Sequence, residues 1–323
     1  MCGISGIYCY QADRSVDFAL LKGMTDRIVH RGPDDEGYLL ADVTSGKIYS
    51  YCGEDSPGEL KGHMCLHQRE DVAQLGFGFR RLPTLELHES GHQPMYDREL
   101  GLAIIFNGEI FNHHELREEL QTKGYRFFSH SDTEVIIKAY HAWGEDALKR
   151  LNGMWAFAIW NIKARKLFCS RDRYGIKPFY YAIQEGVLYW GSEMKQLLLC
   201  PIPKTLNKAM IHRSLKINAL MVYDDETYWQ SVHCLLPGHK LIVQNGKIEI
   251  SEYYHLDIEN FEKNPISFDD AVQQYRELFL DSLKLQTRSD VEVAASLSGG
   301  MDSSAIVCSA KALLDYPMQT FST

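Results

Sequence analysis

The chain begins MCGISG, and Cys2 is the first residue whose chemistry could drive a reaction. Glycine at position 3 and a small side chain at position 2 favour removal of Met1, which leaves a thiol and a free α-amine on one residue. An α-amine has an ordinary pKa of about 7.7–8.0 and a cysteine thiol of about 8.5, so the amine can accept the thiol proton near neutral pH. The residue types alone allow two interpretations of Cys2: a nucleophile activated by its own amine, or a small apolar residue near a chain end.

A second chemical motif, LSGGMDSS, spans residues 297–304 between a predicted strand and a predicted helix. Two glycines let the backbone approach an anion closely, and a helix starting near Ser303 offers unpaired N–H groups and a positive dipole end. Serine hydroxyls stand where the classical P-loop has a lysine. Asp302 inside such a site would hold a metal ion or fix the loop. The motif predicts a nucleotide-phosphate site rather than a plain strand–turn–helix connection.

The elements around Cys2 alternate pairs of predicted strands with pairs of predicted helices over residues 2–192. Helical spacing of apolar residues covers 16–32, 112–124 and 131–144, and Ser131 or Asp132 is the N-cap of the third helix. The polar stretch 52–71 is typical of a surface insertion. This alternation favours a layered domain in which helices flank sheets.

The remainder of the chain has a different pattern. Residues 201–255 contain the turn QNG between two alternating segments, which predicts a hairpin in a segment connecting two domains. An amphipathic helix follows over 267–290, with Ser267 as its N-cap. A strand, the glycine loop, a helix and a second strand complete the sequence. A βαβ unit that stops at its second strand predicts a second domain of which only the first part is present.

Composition excludes several classes of protein. A length of 323 residues favours two domains, and a formal net charge of -9 argues against a nucleic-acid-binding surface. The sequence has no apolar stretch near the roughly 20 residues that span a bilayer and no signal peptide at its start. Its eight cysteines are scattered without CxxC spacing, so we expect no zinc site, no disulfide framework and a cytoplasmic location.

Five motifs resemble known families in a consistent order. SGGMDS at 298–303 resembles the pyrophosphate loop of the ATP pyrophosphatases, which cleave ATP to AMP and pyrophosphate while adenylating a substrate. MCGISG, RGPDDEG (31–37), NGEIFNH (107–113) and SDTEV (131–135) resemble the N-terminal glutaminase domain of the asparagine synthetases. This resemblance covers nearly the whole chain.

The resemblance implies a domain organisation. Residues 2–200 would form an α+β N-terminal-nucleophile domain of the class II glutamine amidotransferases, with four layers in the order αββα. Residues 201–255 would be a β-rich connection. Residues 256–323 would begin an α/β synthetase domain of the ATP-pyrophosphatase type. An incomplete second domain would expose apolar surface, so we expect this last part to be poorly ordered.

The same resemblance implies a reaction at Cys2. The thiolate would attack the side-chain amide carbon of glutamine, ammonia would leave, and water would release glutamate from the γ-glutamyl thioester. The side chain of Asn107 and the backbone N–H of Gly108 would form the oxyanion hole. Glycine at position 108 would let the chain turn so that its N–H faces the site. The dipeptide NG is also typical of a hairpin turn, and the resemblance favours the catalytic role.

Residues that would hold glutamine also follow from the resemblance. Arg81 would bind the α-carboxylate, and Asp132, Glu109 and a backbone carbonyl near Leu85 would bind the α-ammonium group. Arg31 would order the loop beside the nucleophile.

The synthetase half would use ATP with Mg²⁺ offsetting its phosphate charge. The resemblance places the following residues at ATP: Leu297, Ser298, Gly299, Gly300, Asp302, Ser303 and Thr323. No metal-ligating residues are predicted. Ammonia would pass through an internal channel to aspartate activated as β-aspartyl-AMP, and a homodimer is compatible with the family. Residues that bind aspartate would follow Thr323, so we expect the 323-residue chain to hydrolyse glutamine without forming asparagine.

Two departures from the family pattern stand out. Pro83 and Thr84 follow RRL where the family commonly has serine and isoleucine, and Pro83 removes a backbone N–H. The 40–75 region is longer than in many relatives, and we assign no role to it. Two alternatives stay open: an amidotransferase with a different carboxylate or a sugar as acceptor, and an inactive glutamine-binding regulatory fragment. The presence of every glutaminase residue named above favours an enzyme.

Overall fold

The structure, a computed structural model, describes residues 1–11, 14–58, 60, 72–217, 224–258, 266–314 and 317–322. The first part contains β1 (Gly3–Cys9), α1 (Phe18–Asp26), β2 (Asp35–Ala41), β3 (Ile48–Cys52), β4 (Leu75–Arg81), β5 (Met95–Asp97), β6 (Leu102–Ile110), α2 (His113–Thr122), α3 (Asp132–Trp143), α4 (Ala147–Arg150), β7 (Gly153–Asn161), β8 (Lys166–Arg171), β9 (Tyr180–Gln184) and β10 (Val187–Gly191). The rest contains α5 (Met194–Leu197), α6 (Lys208–Ile217), β11 (His233–Cys234), β12 (His239–Gln244), β13 (Lys247–Glu252), α7 (Phe268–Gln286), β14 (Ala294–Ser296), α8 (Met301–Ala310) and β15 (Gln319–Phe321).

Two antiparallel sheets form the centre of the fold. Within the described residues, the first sheet has the strand order β11–β9–β10–β1–β4–β2–β3 and the second has the order β13–β12–β8–β7–β6–β5. Apolar side chains from both sheets pack against each other, including Phe77 and Phe79 from β4 and Ile105 and Trp160 from β6 and β7. Burial of this sheet-to-sheet core fixes the two sheets face to face.

Helices cover the outer faces of both sheets. Leu21 and Met24 of α1 and Leu197 of α5 pack on the first sheet, and Val135 and Ile137 of α3 pack on the second together with residues of α2 and α4. The predicted four-layer αββα architecture is therefore confirmed.

Helix α1 is shorter than the predicted 16–32. It begins after Asp17, whose carboxylate accepts a hydrogen bond from the backbone N–H of Leu20 at 3.1 Å, and it ends at Asp26. The β-branched residues that follow have lower helix propensity, and Val29–Arg31 form a 3₁₀ turn instead.

The segment 201–255 is more than a connection. The predicted hairpin is present as β12 and β13, with Asn245 and Gly246 at positive φ of 51° and 72° in its turn. Strand β12 pairs with β8, and β11 pairs with β9, so this segment extends both sheets. The predicted domain boundaries remain predictions. Of the predicted 52–71 insertion, residue 59 and residues 61–71 lie outside the described part of the chain.

The C-terminal part contains the predicted βαβ unit and the predicted helix, which ends at Gln286 rather than at residue 290. The hydroxyl of Ser267 accepts the N–H of Asp270 at 3.1 Å, which confirms Ser267 as the N-cap of α7. Strands β14 and β15 are parallel, as a βαβ crossover requires. Large apolar side chains of α7 are exposed, including Tyr275 (70%) and Leu278 (69%). In the described ranges, the structure contains no helix with the length and apolar character that a bilayer crossing demands.

Candidate active site

One cleft gathers most of the predicted glutaminase residues. It is lined by Cys2, Arg81, Leu82, Pro83, Thr84, Leu85, Gly91, Gln93, Phe106, Gly108, Ser131, Asp132 and Thr133. These residues come from the start of β1, the end of β4, the loop after it, β6 and the N-terminus of α3. Asn107 and Glu109 flank Gly108 in β6 and share one face of that strand.

The position of Cys2 is set by the central strand of the first sheet. Strand β1 pairs with β4 on one side and β10 on the other, so the backbone that follows Cys2 is fixed on both edges. The sulfur accepts the N–H of Leu82 at 3.4 Å, and the Arg31 guanidinium donates to the Cys2 carbonyl at 3.0 Å. Burial raises the pKa of the thiol, whereas the Leu82 N–H, the terminal amine and the Arg81 charge favour the thiolate.

Asn107 carries an unsatisfied donor. Its side chain is 1% exposed, and the amide nitrogen Nδ2 has no hydrogen-bond partner among the described residues. A buried amide N–H₂ without a partner is costly, and a site that binds a negatively charged oxygen provides the missing acceptor.

Gly108 lies inside a strand rather than in a turn. It pairs with Trp155 of β7, and a Cβ atom at this position would come within 2.1 Å of the Met154 carbonyl oxygen and 2.5 Å of the Phe106 ring. Glycine is therefore required by the close approach of the neighbouring strand, and the expected reason, a turn of the chain toward the site, is wrong.

The Arg81 guanidinium organises the loop that follows β4. It donates to the carbonyl of His88 at 3.2 Å and also to the carbonyl of Glu86. Burial lowers its pKa, while the nearby charges of Asp35 and Cys2 favour the protonated form. Some of the Arg81 N–H groups that were predicted to bind the substrate carboxylate therefore donate to carbonyls of the protein itself.

The 82–88 loop holds its shape through contacts on several sides. Glu86 has a positive φ of 54°, which is unfavourable for a residue with a side chain. The Glu86 carboxylate accepts the N–H of His130 at 2.8 Å, next to the N-terminus of α3. These contacts fix the backbone around Leu85, whose carbonyl is one of the predicted ligands.

Ser131 and Asp132 have separate roles at the start of α3. The Ser131 hydroxyl accepts the N–H of Thr133 at 3.1 Å and is the N-cap. The Asp132 carboxylate accepts the N–H of Ile110 at 2.9 Å, which ties α3 to β6. Burial raises the pKa of Asp132 to about 6. Burial, with the nearby charge of Asp132, raises the pKa of Glu109 to about 7.

Two residues near the cleft were not predicted. Lys177 is 6% exposed, and burial lowers its pKa against the opposing effects of the Glu109 and Cys2 charges. Gln93 donates to the Phe106 carbonyl at 3.2 Å and accepts the Phe106 N–H at 2.6 Å, so it supports β6. Both residues lie in stretches that match none of the motifs described above, and no local sequence pattern predicts a role for them.

The predicted phosphate loop lies between β14 and α8. Helix α8 begins at Met301 with Gly300 as its N-cap, two residues before the predicted start. Gly299 has a positive φ of 79°, and the Ser298 hydroxyl lies 3.1 Å from that of Ser303. The Leu297 N–H donates to the Phe321 carbonyl at 2.8 Å. Asp302 is in the first turn of α8, and Thr323 is outside the described residues.

The described ranges contain no group of three or more His, Cys, Asp or Glu side chains arranged to hold a metal ion.

A cysteine at the start of the central strand, between two sheets flanked by helices, is the arrangement of the N-terminal-nucleophile glutamine amidotransferases. Residues 65–254 match the family model described as glutamine amidotransferase domain, and residues 274–323 match that described as asparagine synthase. The first match covers more than half of the chain, so the chain belongs to the glutamine amidotransferase domain family.

Relatives of this chain include two proteins of Bacillus subtilis (strain 168). Glutamine-hydrolyzing asparagine synthetase 1 is 35% identical over 96% of this chain and 44% of its own length. Glutamine-hydrolyzing asparagine synthetase 3 is 33% identical over 100% of this chain and 48% of its own length. The chain thus spans about half the length of these curated relatives.

A solved structure shows the same fold. Glutamine phosphoribosylpyrophosphate amidotransferase from B. subtilis, complexed with ADP and GMP, superposes with a TM-score of 0.58 at 19% identity. The match covers 79% of this chain and 50% of that one.

Proposed function

We propose that the chain hydrolyses glutamine to glutamate and ammonia with Cys2 as the nucleophile. The observation that carries this proposal is the single cleft that gathers a thiol, a guanidinium group and a carboxylate from Cys2, Arg81 and Asp132. These are the groups that an amide carbon, an α-carboxylate and an α-ammonium group require.

The nucleophile is activated by the chain terminus. Once Met1 is removed, the α-amine of Cys2 takes the thiol proton, and the thiolate attacks the side-chain amide carbon of glutamine. The C–N bond breaks, ammonia leaves with the transferred proton, and a γ-glutamyl thioester remains. Water then adds to the thioester carbonyl, and glutamate leaves as the thiol is restored.

Negative charge develops on the amide oxygen of glutamine when the thiolate attacks, and hydrogen-bond donors must already be positioned to stabilise it. The Asn107 side chain has an unpartnered N–H₂ group, and Gly108 lines the cleft next to it. We assign these two groups to the oxyanion hole, where one good donor contributes roughly 10²–10³ in rate.

Glutamine is recognised at its α-carbon. The α-ammonium group binds the carboxylate of Asp132 and the carbonyl of Leu85, and Glu109 supplies a second negative charge nearby. Arg81 binds the α-carboxylate with the N–H groups that it does not donate to the 82–88 loop. Pro83 lines the cleft and offers no N–H, so recognition in this loop relies on carbonyls.

We assign residues 256–323 to ATP-dependent synthesis of asparagine in the whole protein. The Ser298–Ser303 loop fits a phosphate group, because open space surrounds the Cβ position of Gly299 and two serine hydroxyls stand at the start of α8. ATP bound there would adenylate aspartate, with Mg²⁺ offsetting the phosphate charge, and ammonia would displace AMP. A cytoplasmic location and a homodimer remain predictions.

Intact mass with and without 6-diazo-5-oxo-norleucine, a glutamine-like electrophile, tests the glutaminase proposal. We expect loss of Met1 and one adduct that peptide mapping places on Cys2. The exposed thiol of Cys308 is an internal control, because labelling there would report general thiol reactivity. Cys2→Ala should take no adduct and release no ammonia from glutamine. Retained Met1 with no adduct on Cys2 would overturn the mechanism.

A further inference from the structure

We propose that Asp290 is a positioning residue for glutamine binding, acting through the backbone on both sides of Leu85. This inference rests on the proposed glutaminase function and adds a residue from the second half of the chain to it. Asp290 lies between α7 and β14, in the segment 288–290, and neither its type nor its spacing marks it in the sequence.

Asp290 hydrogen-bonds to the two residues that flank Leu85. Its carboxylate oxygen Oδ2 accepts the N–H of Glu86 at 2.7 Å, and its own N–H donates to the carbonyl of Thr84 at 3.1 Å. The Ser289 hydroxyl donates to the same Thr84 carbonyl at 3.3 Å. Because the peptide units before and after Leu85 are both held, the direction of the Leu85 carbonyl is fixed.

The same segment is also anchored to residues that follow β6. The Arg288 guanidinium donates to the carbonyl of Phe111 at 3.0 Å and to both carboxylate oxygens of Glu115, at 2.8 and 2.6 Å. The Arg288 side chain lowers the pKa of Glu115 to about 2, mainly through these hydrogen bonds. Phe111 directly follows β6, the strand that carries Asn107 and Gly108. The segment therefore bridges the loop after β4 and the loop after β6.

The loop needs such external support. Glu86 is held at a positive φ, and the bonds that stabilise it include those from Arg81, His130 and Asp290. The first two belong to the glutaminase layers, whereas Asp290 belongs to the segment between α7 and β14. Loss of the Asp290 carboxylate frees the Glu86 N–H, and the Leu85 carbonyl loses its fixed direction toward the α-ammonium group.

Steady-state glutaminase kinetics of the full 323-residue chain test this role. Asp290→Ala should raise the KM for glutamine about five- to tenfold and leave kcat within about twofold, because the bond affects substrate binding and not the thiolate. Asp290→Asn should restore a KM near that of the wild type, because its carbonyl oxygen can accept the Glu86 N–H. Asp269→Ala, at an exposed carboxylate near the start of α7, is the matched control and should change neither constant.

The outcomes separate this inference from the function on which it rests. An active wild-type chain whose KM is unchanged by Asp290→Ala would overturn the positioning role and leave the glutaminase proposal standing. A wild-type chain that does not hydrolyse glutamine would overturn both. If Asp290→Ala does not fold, Asp290→Glu should raise the KM for glutamine in the same way, because the longer side chain displaces the carboxylate acceptor by one methylene. Faster hydrogen exchange at the Glu86 amide in Asp290→Ala would support the inference directly.

Discussion

Removing the side-chain amide of Asn107 should lower activity sharply without lowering stability. In Asn107→Ala the oxyanion loses one donor, so kcat should fall by roughly 10²–10³. The wild-type Nδ2 group is buried without a partner, which costs about 1–3 kcal/mol of folding free energy. Truncation to alanine vacates roughly 25–30 Å³, which at about 24 cal/mol per Å³ costs about 0.7 kcal/mol. The free energy of unfolding should therefore stay unchanged or rise by up to about 2 kcal/mol.

Glutamate release and urea denaturation measure the two effects on the same sample. Asn161→Ala is the matched control, because Asn161 lies at the far end of β7 and its side-chain oxygen accepts the N–H of Ala164 at 2.9 Å. The control should keep its kcat and lose about 1 kcal/mol of stability. If Asn107→Ala keeps its kcat within threefold of wild type, or loses more than about 1 kcal/mol of stability, Asn107 is a packing residue and the oxyanion assignment is wrong.

Three further predictions concern packing, pH and the C-terminal part. Gly108→Ala should lower the free energy of unfolding by about 2–3 kcal/mol in urea titrations, because its Cβ would clash with the backbone of β7. Gly58 has open space around it, so Gly58→Ala should leave the free energy of unfolding unchanged, and equal stability of the two variants would refute the packing argument. Burial raises the pKa of Glu109 to about 7 and that of Asp132 to about 6, and the α-ammonium group binds the ionised carboxylates, so kcat/KM should fall as the pH drops through these two values. Glu109→Gln should remove the upper of these two inflections; identical pH profiles of the wild type and Glu109→Gln would contradict this. Limited proteolysis should cut first within 256–323, where the described apolar side chains of α7 are exposed, and equal resistance of the layered domain and this region would count against the prediction.

Local sequence patterns predicted the secondary-structure elements better than they predicted the contacts between those elements. The hairpin of β12 and β13 followed from its turn residues, but its pairing with β8 depends on strands that are distant in the sequence. Ser131 and Asp132 are both good N-caps by type, and only the distance to Ile110 shows what the aspartate contacts.

The site residues show the same limit. The family resemblance predicted that Arg81 binds substrate. Its bonds to carbonyls of the 82–88 loop depend on a positive φ at Glu86, and glutamate is not a residue type from which a positive φ is predicted. Glycine at position 108 was expected to let the chain turn so that its N–H faces the site, whereas the real cause is its contact with β7. Asp290 escaped prediction because its partners lie about 200 residues away in the chain.

The strand order of the first sheet has a consequence for protein synthesis. Strand β1 directly follows Cys2 and is made before both of its neighbours, β4 and β10, with Ser5 paired to Gly191. Contacts between such distant residues form late, since the intervening chain must be made and ordered first. A nascent chain on the ribosome thus holds Cys2 on an unfinished sheet until β10 has emerged. Under the proposed function, an incomplete chain releases no ammonia, because Cys2 reaches its working geometry only after β10 has been made.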